Sequence, residues 1–499
     1  MAATPPAYHD WSREDLINRI LVLEGRARPT PPSPALKKPP KRPVKAFDFS
    51  MQPRRKIALK FCYAGEHYNG LAIQSDPTPL PTVEAVIFDA LSETRLVDRG
   101  AGMDGCGWSR CGRTDRGVSA AGQVISLHVR SALGPPRKIV KSEPTPELDL
   151  SLLGDDIDPS NEIPPPPQVE DPPSPHFITP ATSPDLPSRP ELNYVDMLNR
   201  VLPSTIRILA WSPVSDSFDA RFSCAFRHYK YFFVPSGLDI DAMRDATQRL
   251  LGEHDFRNLC KLDPSKQITN FRRVISRAEI SSVSSDMMVF DLIGTAFLYN
   301  QVRHIMAVLF LIGGGLESPS VMSSLLNADP SHPISALKTD EAIEIVATKP
   351  VYQMADGLPL VLWDCGYRPE DVDWQTPLSS AEPRSDTEGL LLPTILLQHL
   401  ESTRQRSLIK STLDEYFLKA ALSYHPGSVT LARGSAAVHN GQVLNIPIGG
   451  GEYRRTGAYV PLLKRERNEP IEETNERWRL AKLRKTQAKA GAEDAVEEE

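Results

Sequence analysis

The sequence predicts an α/β or α+β fold built on mixed sheets, and three observations lead to this prediction. Alternating apolar segments typical of strands interleave along the chain with the 3.6-residue apolar patterns typical of helices. These segments lack the short, regular βαβ spacing of a doubly wound sheet, so strands of both directions are expected. The chain has no internal repeat and, at 499 residues, is long enough for two or more packed units.

Ordered structure is expected to begin near residue 54. Lys56 to Tyr63 (KIALKFCY) alternates as a strand does, and a turn follows it. Thr82 to Leu91 (TVEAVIFDAL) has the apolar pattern of a helix whose first residue is a good cap. Gln123 to Val129 (QVISLHV) predicts a second strand. These elements form the first predicted half of the folded domain, residues 54–130.

Helices and strands alternate again over residues 192–367, the second predicted half. In chain order the expected elements are a helix over 194–201, a strand ending in FDARF, an aromatic strand over 226–234, a helix over 241–251, paired strands over 269–280 and 287–293, and a long helix from about 295 to 311.

A proline-rich, acidic segment separates the two halves. Residues 131–191 hold 16 of the 46 prolines and carry a net charge of −7, with few aromatic or β-branched residues. Such a composition cannot bury enough apolar surface to offset its ordering entropy, which predicts a disordered insertion. The tail 491–499 carries a further net charge of −5. Because the whole chain has a net charge of −6, the residues outside these two segments are mildly basic. A nucleic-acid partner is compatible with that remainder.

The two ends of the chain are predicted to lie outside the main domain. Residues 1–53 are expected to be basic and mostly disordered, with one short helix, and residues 368–499 to be a peripheral extension with a charged tail. The cluster from Lys37 to Arg42 (KKPPKR) has three interpretations: a nuclear-import signal, a phosphate-binding arm or a solvated linker.

Cofactor, metal and membrane motifs are absent from the sequence. The six cysteines form no C-x-x-C pair and no zinc-ligand spacing, which indicates reduced, mostly buried thiols of an intracellular protein. No Walker loop or dinucleotide fingerprint is present. The most apolar run, Ile305 to Gly315, is too short to span a bilayer, and the N-terminus lacks the apolar core of a secretory signal. We therefore expect no cofactor, no metal, no membrane association and a location in nucleus or cytoplasm.

The stretch CGRTDRGVSA places Asp115 between Arg113 and Arg116, with glycines on both sides. Nearby positive charge favours the ionised carboxylate. An acid with a glycine two positions later is also common turn chemistry, so an ordinary surface turn is an equally good explanation from this motif alone.

The segment RHYKYFF contains Tyr229 within the predicted aromatic strand. Alternation would point Arg227, Tyr229, Tyr231 and Phe233 to one face of the sheet. From spacing alone a core position is favoured for Tyr229. A phenol at the edge of a cleft would instead stack on a base and offer a proton-transfer group.

Arg303 lies in the long apolar helical segment TAFLYNQVRHIMAVLF, on one stripe with Asn300, His304 and Ala307. A guanidinium in so apolar a helix requires an anionic partner unless it extends to the surface. If the helix is central, the carboxylate of Asp115 is the candidate partner. That pairing would leave Arg113 and Arg116 available for phosphate groups.

Taken together, these segments resemble the TruA family of tRNA pseudouridine synthases. The shared stretches occur in family order over residues 54–130 and 192–367: CGRTDRGVSA, FDARFSCAFRHYKYFF, LGEHDFRNLCKLD, FLYNQVRHIM and MADGLPLVLWDCGY. The closing YVPLLKRERNEPIEETNERW is similar to the eukaryotic branch that modifies tRNA positions 38 and 39. The sequence departs from the family pattern at Gly70-Leu71-Ala72, where an aromatic usually follows the glycine, and at Arg116.

The resemblance implies a mixed sheet from two ferredoxin-like halves with an RNA cleft between them, and a role for each matching residue. Asp115 corresponds to the catalytic aspartate, and Arg303 to the arginine that pairs with it. Tyr229 corresponds to the tyrosine beside the target base and Arg113 to the arginine that helps to extrude the uridine. Leu360 is expected to line the pocket.

The implied reaction breaks the uracil N1–C1′ bond and forms a C5–C1′ bond, which needs no cofactor. Asp115 would attack C1′, take the 2′ proton or add to the base, and these three routes stay open. Tyr229 or a water would then deprotonate C5. The implied partner is the tRNA anticodon stem-loop, and the bacterial relatives suggest a homodimer. Two alternatives stay open: a sibling synthase with other target uridines, and a tRNA-binding or folding protein whose catalysis is dispensable.

Overall fold

The structure is a computed structural model that describes residues 47–74, 76–133, 190–333, 342–376, 395–425 and 444–497. By its internal contacts the chain divides into residues 1–50 and 51–499. Only residues 47–50 of the first unit are described, and there the Ser50 amide donates to Asp48 Oδ1 (2.9 Å). The predicted N-terminal helix, the Lys37 to Arg42 cluster and most of the predicted insertion lie outside the described residues.

Eleven strands and seven α-helices make up the described part of the second unit. In chain order they are β1 (Arg54–Tyr63), α1 (Val83–Glu93), β2 (Ser109–Arg110), β3 (Ser119–Arg130), α2 (Tyr194–Asn199), β4 (Ile206–Pro213), β5 (Phe226–Phe233), α3 (Ile240–Gln248), β6 (Gly252–Asp255), β7 (Arg272–Ser284), β8 (Met287–Gly294), α4 (Gln301–Gly313), α5 (Ser320–Leu326), β9 (Leu360–Gly366), α6 (Ile395–Leu422), β10 (Leu444–Gly449), β11 (Glu452–Thr456) and α7 (Ile471–Glu497).

Nine strands form one mixed sheet, as the sequence predicted. Its order is β4-β1-β3-β9-β5-β8-β7-β6, with β2 paired to β3, and β10 and β11 form a separate hairpin. The neighbours in the large sheet are antiparallel except β3 and β9, which pair in parallel at Ser119–Val361 and Ala120–Leu362. The β3–β9 contact is therefore the seam between one side of the sheet, β4-β1-β3, and the other side, β9-β5-β8-β7-β6.

Each side of the seam has its own apolar core. Ile57, Ile87 and Tyr194 are fully buried in the first core, and Phe256, Phe290 and Ile305 in the second. Tyr229 packs against both cores, so its ring lies where the two halves meet. A mixed sheet with two separate cores agrees with the predicted mixed-sheet fold, but α2 and β4, which were predicted to belong to the second half, pack in the first core.

Most of the predicted elements are present, with shifted ends. Helix α1 begins after Thr82, whose hydroxyl accepts a hydrogen bond from the Ala85 amide (3.4 Å), as the capping pattern indicated. The strand expected to end in FDARF instead ends at Pro213. Asp219 Oδ1 accepts the backbone amides of Arg221 and Phe222 (2.8 and 3.1 Å), and this local bonding turns the chain.

Arg55, Ser131 and Glu191 close the base of the predicted insertion. Glu191 accepts hydrogen bonds from the Ser131 hydroxyl (2.6 Å) and the Ala132 amide (2.8 Å), and it forms an ion pair with Arg55 (2.8 Å). The chain therefore leaves the sheet after β3 and rejoins it before α2 at one point. This point is at the end of β3 that is far from Asp115.

The region after residue 368 contributes to the main domain in part. Ile446, Leu462 and Ile471 are buried in the second core, and the Asp356 amide donates to the Ile448 carbonyl (2.6 Å). These apolar positions are single and widely spaced, so the sequence offered no periodic pattern by which to recognise them. By contrast, α6 exposes Leu408, Ile409 and Phe417 at 58, 60 and 66 %.

Lys349 is buried next to His304 and Cys260. Its ammonium group donates to the Cys260 carbonyl (2.5 Å) and lies 3.2 Å from His304 Nε2. Burial is the main cause that lowers the pKa of Lys349 from 10.5 to about 8 and that of His304 to about 2. His304 therefore stays neutral in the folded protein.

The free energy of unfolding is expected to rise with pH between about 8 and 10. In that range the unfolded chain still holds the Lys349 proton that the folded chain has lost, so a higher pH favours the folded state, by at most about 3 kcal/mol. Denaturant unfolding at several pH values measures this gain. In the variant Lys349→Met the gain should disappear, and an unchanged pH profile in the variant would contradict the assignment.

Candidate active site

Asp115 lies in the loop that joins β2 to β3, beside the seam of the sheet. The Val118 amide donates to the Asp115 carbonyl (3.2 Å), and Gly117 takes the turn with φ +82°. Thr114, one residue before, forms a hydrogen bond with the Tyr63 hydroxyl at the end of β1 (2.7 Å). The loop is thus anchored on both sides of the acid, and the side chain of Asp115 remains 29 % exposed.

Gly70 supports this loop from behind. Its φ is +86°, and a Cβ at this position would lie 2.9 Å from the Thr114 carbonyl oxygen and 3.3 Å from the Asp115 carbonyl carbon. The next amide, of Leu71, donates to the same Thr114 oxygen (3.2 Å). A side chain at position 70 would therefore displace the loop, which explains the need for glycine here.

Arg303 projects from the first turn of α4 towards Asp115. Its Nη1 lies 3.4 Å from Asp115 Oδ2, and only 13 % of the arginine side chain is exposed. The ion pair that the sequence suggested is therefore present in the structure. Nε of Arg303 donates to the Ala355 carbonyl (2.8 Å), and the Ala355 amide donates to the Arg303 carbonyl (3.0 Å). These bonds fix the guanidinium in one orientation.

Gly357 lets the 355–358 segment approach Arg303 and the backbone of the Asp115 loop closely. A Cβ there would lie 3.2 Å from the Arg116 carbonyl oxygen and 3.5 Å from Arg303 Cζ. This segment is part of the stretch MADGLPL, which entered the sequence analysis only through the family resemblance. Its physical role is to lock Arg303 in place.

Asn300 is a third contact to Asp115 that the sequence analysis missed. Its Nδ2 donates a short hydrogen bond to Asp115 Oδ2, the oxygen that Arg303 also contacts. Asn300 has a left-handed backbone (φ +56°), so α4 begins at Gln301 and not near Thr295 as predicted. Among the described residues no group donates a hydrogen bond to Oδ1 of Asp115. That oxygen is free to meet a substrate.

Tyr229 lies in the middle of β5 at the junction of the two cores. Its ring packs edge-to-face on Phe297 with 4.9 Å between centroids. Burial is the main cause that raises the pKa of Tyr229 well above its usual range, and the nearby Cys365, Cys111 and Asp115 raise it further. The phenol is neutral at physiological pH. In this form it is suited to hydrogen-bond donation.

Arg113, Arg116 and Leu360 occupy different environments around the loop. Both arginines are exposed, and no hydrogen bond or ion pair of their side chains is found within the described part of the chain. Leu360 is 5 % exposed, begins β9 and packs in the second core, with its amide donating to the Gly357 carbonyl (3.1 Å). The structure thus brings Asp115 and Arg303 into contact with each other and leaves the two flanking arginines available to a polyanion.

The fold and this site define an enzyme with the pseudouridine synthase architecture. The model of a tRNA pseudouridine synthase family, PseudoU_synth_1, matches residues 246–368. A Saccharomyces cerevisiae protein named tRNA pseudouridine(38/39) synthase is 38 % identical over 494 residues, which cover 96 % of this chain and 93 % of that protein. The Homo sapiens protein of the same name is 39 % identical and is covered over 59 % of its length, with 66 % of this chain aligned.

More distant relatives carry a related name. The Methanosarcina mazei tRNA pseudouridine synthase A is 29 % identical over 274 residues, which are 55 % of this chain and 77 % of that protein. This chain therefore belongs to the TruA-type family of tRNA pseudouridine synthases and is an isomerase that acts on tRNA. No helix in the described ranges combines the length and apolar character that a bilayer crossing requires.

Replacing Asn300 by glycine is expected to lower kcat by about ten- to a hundred-fold. The change removes a hydrogen bond to a charged group, which contributes about 1.5–3 kcal/mol, and glycine keeps the left-handed backbone. Steady-state kinetics with tRNA would measure the effect.

Arg95→Gly is the matched control for this variant, because Arg95 also has a positive φ (+55°) but lies away from the loop. Its kcat should be unchanged. An Asn300→Gly enzyme with the kcat of the parent would show that the amide does not position Asp115.

Proposed function

We propose that this enzyme converts uridine to pseudouridine in the anticodon stem-loop of tRNA, at positions 38 and 39. The observation that carries the chemistry is the contact of Asp115 with Arg303 beside the seam of the sheet. Two relatives that are named for positions 38/39 align with most of this chain, one of them over nearly its whole length. Their names support the choice of target position.

Asp115 is proposed as the catalytic residue, with Oδ1 as its reacting atom. Oδ2 is held by Arg303 and Asn300, so the carboxylate keeps one orientation while the other oxygen accepts no hydrogen bond from the described residues. Orienting a reacting group in this way lowers the activation free energy, because the geometry is set before the reaction begins. The isomerisation breaks the N1–C1′ bond, forms the C5–C1′ bond, removes the proton from C5 and leaves a proton on N1. The uracil stays in the site throughout.

The target nucleotide must leave the helical stack to reach Asp115, at a cost of about a few kcal/mol. Arg113 and Arg116 are exposed on either side of the acid, where their guanidinium groups can contact the phosphates that flank the everted base. Arg113 is proposed to fill the place that the uridine vacates while its guanidinium group contacts a neighbouring phosphate. Tyr229 is proposed to lie against the everted base, because its ring packs where the two cores meet.

The enzyme is proposed to be a homodimer that acts in the nucleus, the cytoplasm or both. The exposed apolar side chains of α6 support self-association, since large exposed apolar surfaces commonly mark interfaces. Light scattering after size exclusion would detect a monomer if this is wrong.

Deleting residues 37–42 tests the import role of the basic cluster, and an unchanged location would rule that role out.

Asp115→Ala is expected to abolish pseudouridine formation while tRNA binding remains within about threefold. The substitution removes the reacting carboxylate and leaves the exposed arginines in place. Modification is measured by mass spectrometry of tRNA fragments and binding by filter retention. Asp104→Ala, an exposed acid of the same half, is the control and should be active. Full activity of Asp115→Ala would refute the proposed role.

The same variant separates an enzyme from a protein that only binds or folds tRNA. In cells without the gene, pseudouridine should be missing at positions 38 and 39, and Asp115→Ala should fail to restore it. Loss of pseudouridine at other positions instead would show that the enzyme is a sibling synthase with other target uridines. Rescue of growth by Asp115→Ala would favour the tRNA-binding function.

Arg113→Ala is expected to weaken tRNA binding and to reduce the slope of log K against log salt by about 1, as for the loss of one phosphate contact. Titrations at several salt concentrations measure this slope. Arg99→Ala is the control, because Arg99 is equally a surface arginine but is already paired with Asp89 (2.8 Å). An unchanged slope for Arg113→Ala would contradict a phosphate contact.

A further inference from the structure

Three cysteines that are far apart in the sequence meet beneath the candidate active site. The Sγ atoms of Cys111, Cys224 and Cys365 all lie within 4.8 Å of one another. The three residues are 1, 9 and 2 % exposed. Their separation in the chain explains why no ligand spacing is visible in the sequence.

Each of these cysteines lies in a segment that positions a functional residue. Cys111 follows β2 and starts the loop to Asp115, with its amide bound to the Val124 carbonyl in β3 (2.9 Å). Cys224 lies just before β5, the strand of Tyr229, and Cys365 lies in β9. A link between the three sulfurs would therefore connect the Asp115 loop to both neighbouring strands.

A cation already faces this cluster. The guanidinium of Arg227 donates to the carbonyls of Cys111 (3.1 Å), Arg221 (2.8 Å) and Thr295 (2.8 Å). Positive charge next to thiols favours thiolates, the form that binds metals. The Arg227 guanidinium is thus placed to offset part of the negative charge that thiolates in this cluster would carry.

We propose that Cys111, Cys224 and Cys365 bind one Zn²⁺ ion as three thiolates. Zinc–sulfur bonds of about 2.3 Å place the sulfurs of a tetrahedral site about 3.8 Å apart, so the cluster needs to contract by no more than about 1 Å. Within the described residues no fourth Cys, His, Asp or Glu joins the group. The fourth position is left to a small non-protein ligand such as water.

The charge balance selects a divalent ion. Three thiolates, one Zn²⁺ and the guanidinium of Arg227 together are neutral, which is what a buried site requires. A monovalent ion such as Cu⁺ would leave one uncompensated negative charge. Zinc binding displaces the remaining thiol protons to solvent, so affinity falls at lower pH.

The ion has a positioning role and takes no part in the isomerisation. It joins the start of the Asp115 loop to β9 and to the segment that enters β5, so its loss is expected to loosen the acid. Metal content reports on the site independently of pseudouridine formation. Failure of this proposal and failure of the proposed function are therefore distinguishable.

Elemental analysis of the full chain, purified without a metal-affinity tag from zinc-supplemented medium, tests the proposal. We expect about one zinc per chain, and less than one tenth of that in the triple variant Cys111→Ser, Cys224→Ser, Cys365→Ser. Cys106→Ser is the matched control, since Cys106 is also a buried thiol of the first half that donates to a backbone carbonyl (Met103, 3.1 Å). It should keep its zinc.

A second measurement uses the unmodified protein, in case the triple variant does not fold. Titration with an organomercurial should release zinc to an indicator dye as three thiols react, and Co²⁺ added to the metal-free protein should give thiolate-to-cobalt absorption bands. A reduced, folded protein that contains no zinc and takes up neither ion overturns the proposal. A disulfide among the three cysteines, or copper as the bound ion, overturns it as well.

Discussion

The contact between Asp115 and Arg303 is the interaction on which the arrangement of the site depends. It joins residues that are 188 positions apart, one in a loop of the first half and one in a helix of the second. Either charge alone would be destabilising in this partly buried position, because an unpaired buried ion loses the solvation that water provides. The carboxylate of Asp115 and the guanidinium of Arg303 therefore stabilise each other across the two halves. The pair also orients the acid, because the guanidinium is itself fixed by the Ala355 carbonyl.

Backbone interactions around this pair are as important as the charges. Gly70 and Gly357 have no side chain and allow two segments to approach the Asp115 loop and Arg303 closely. The left-handed Asn300 ends the preceding loop, directs its amide to the acid and sets the start of α4. The cysteine cluster lies at the base of the same loop. The acid is thus supported from several directions by groups that have no part in bond rearrangement.

Local pattern was sufficient to predict much of the fold from the sequence. The strand at Lys56 to Tyr63 and the capped helix after Thr82 depend on neighbouring residues, and both are present. The end of the strand before FDARF and the start of α4 were misplaced, because side-chain bonding by Asp219 and a positive φ at Asn300 override the apolar period. The partnership of Arg303 with Asp115 followed from a simple physical requirement, that a buried cation needs an anion. The contact from Asn300 and the meeting of the three cysteines depend on tertiary geometry, which no local pattern encodes.

The contacts of Glu191 make the geometry of the Asp115 loop independent of the number of residues between β3 and α2. Because Glu191 is bonded to Ser131, Ala132 and Arg55, a change in chain length between residues 132 and 191 is not transmitted to β3. The twelve residues of β3 then stand between this point and the Asp115 loop, a distance of about 40 Å along an extended strand. An insertion or deletion in this region is therefore expected to leave the position of Asp115 unchanged.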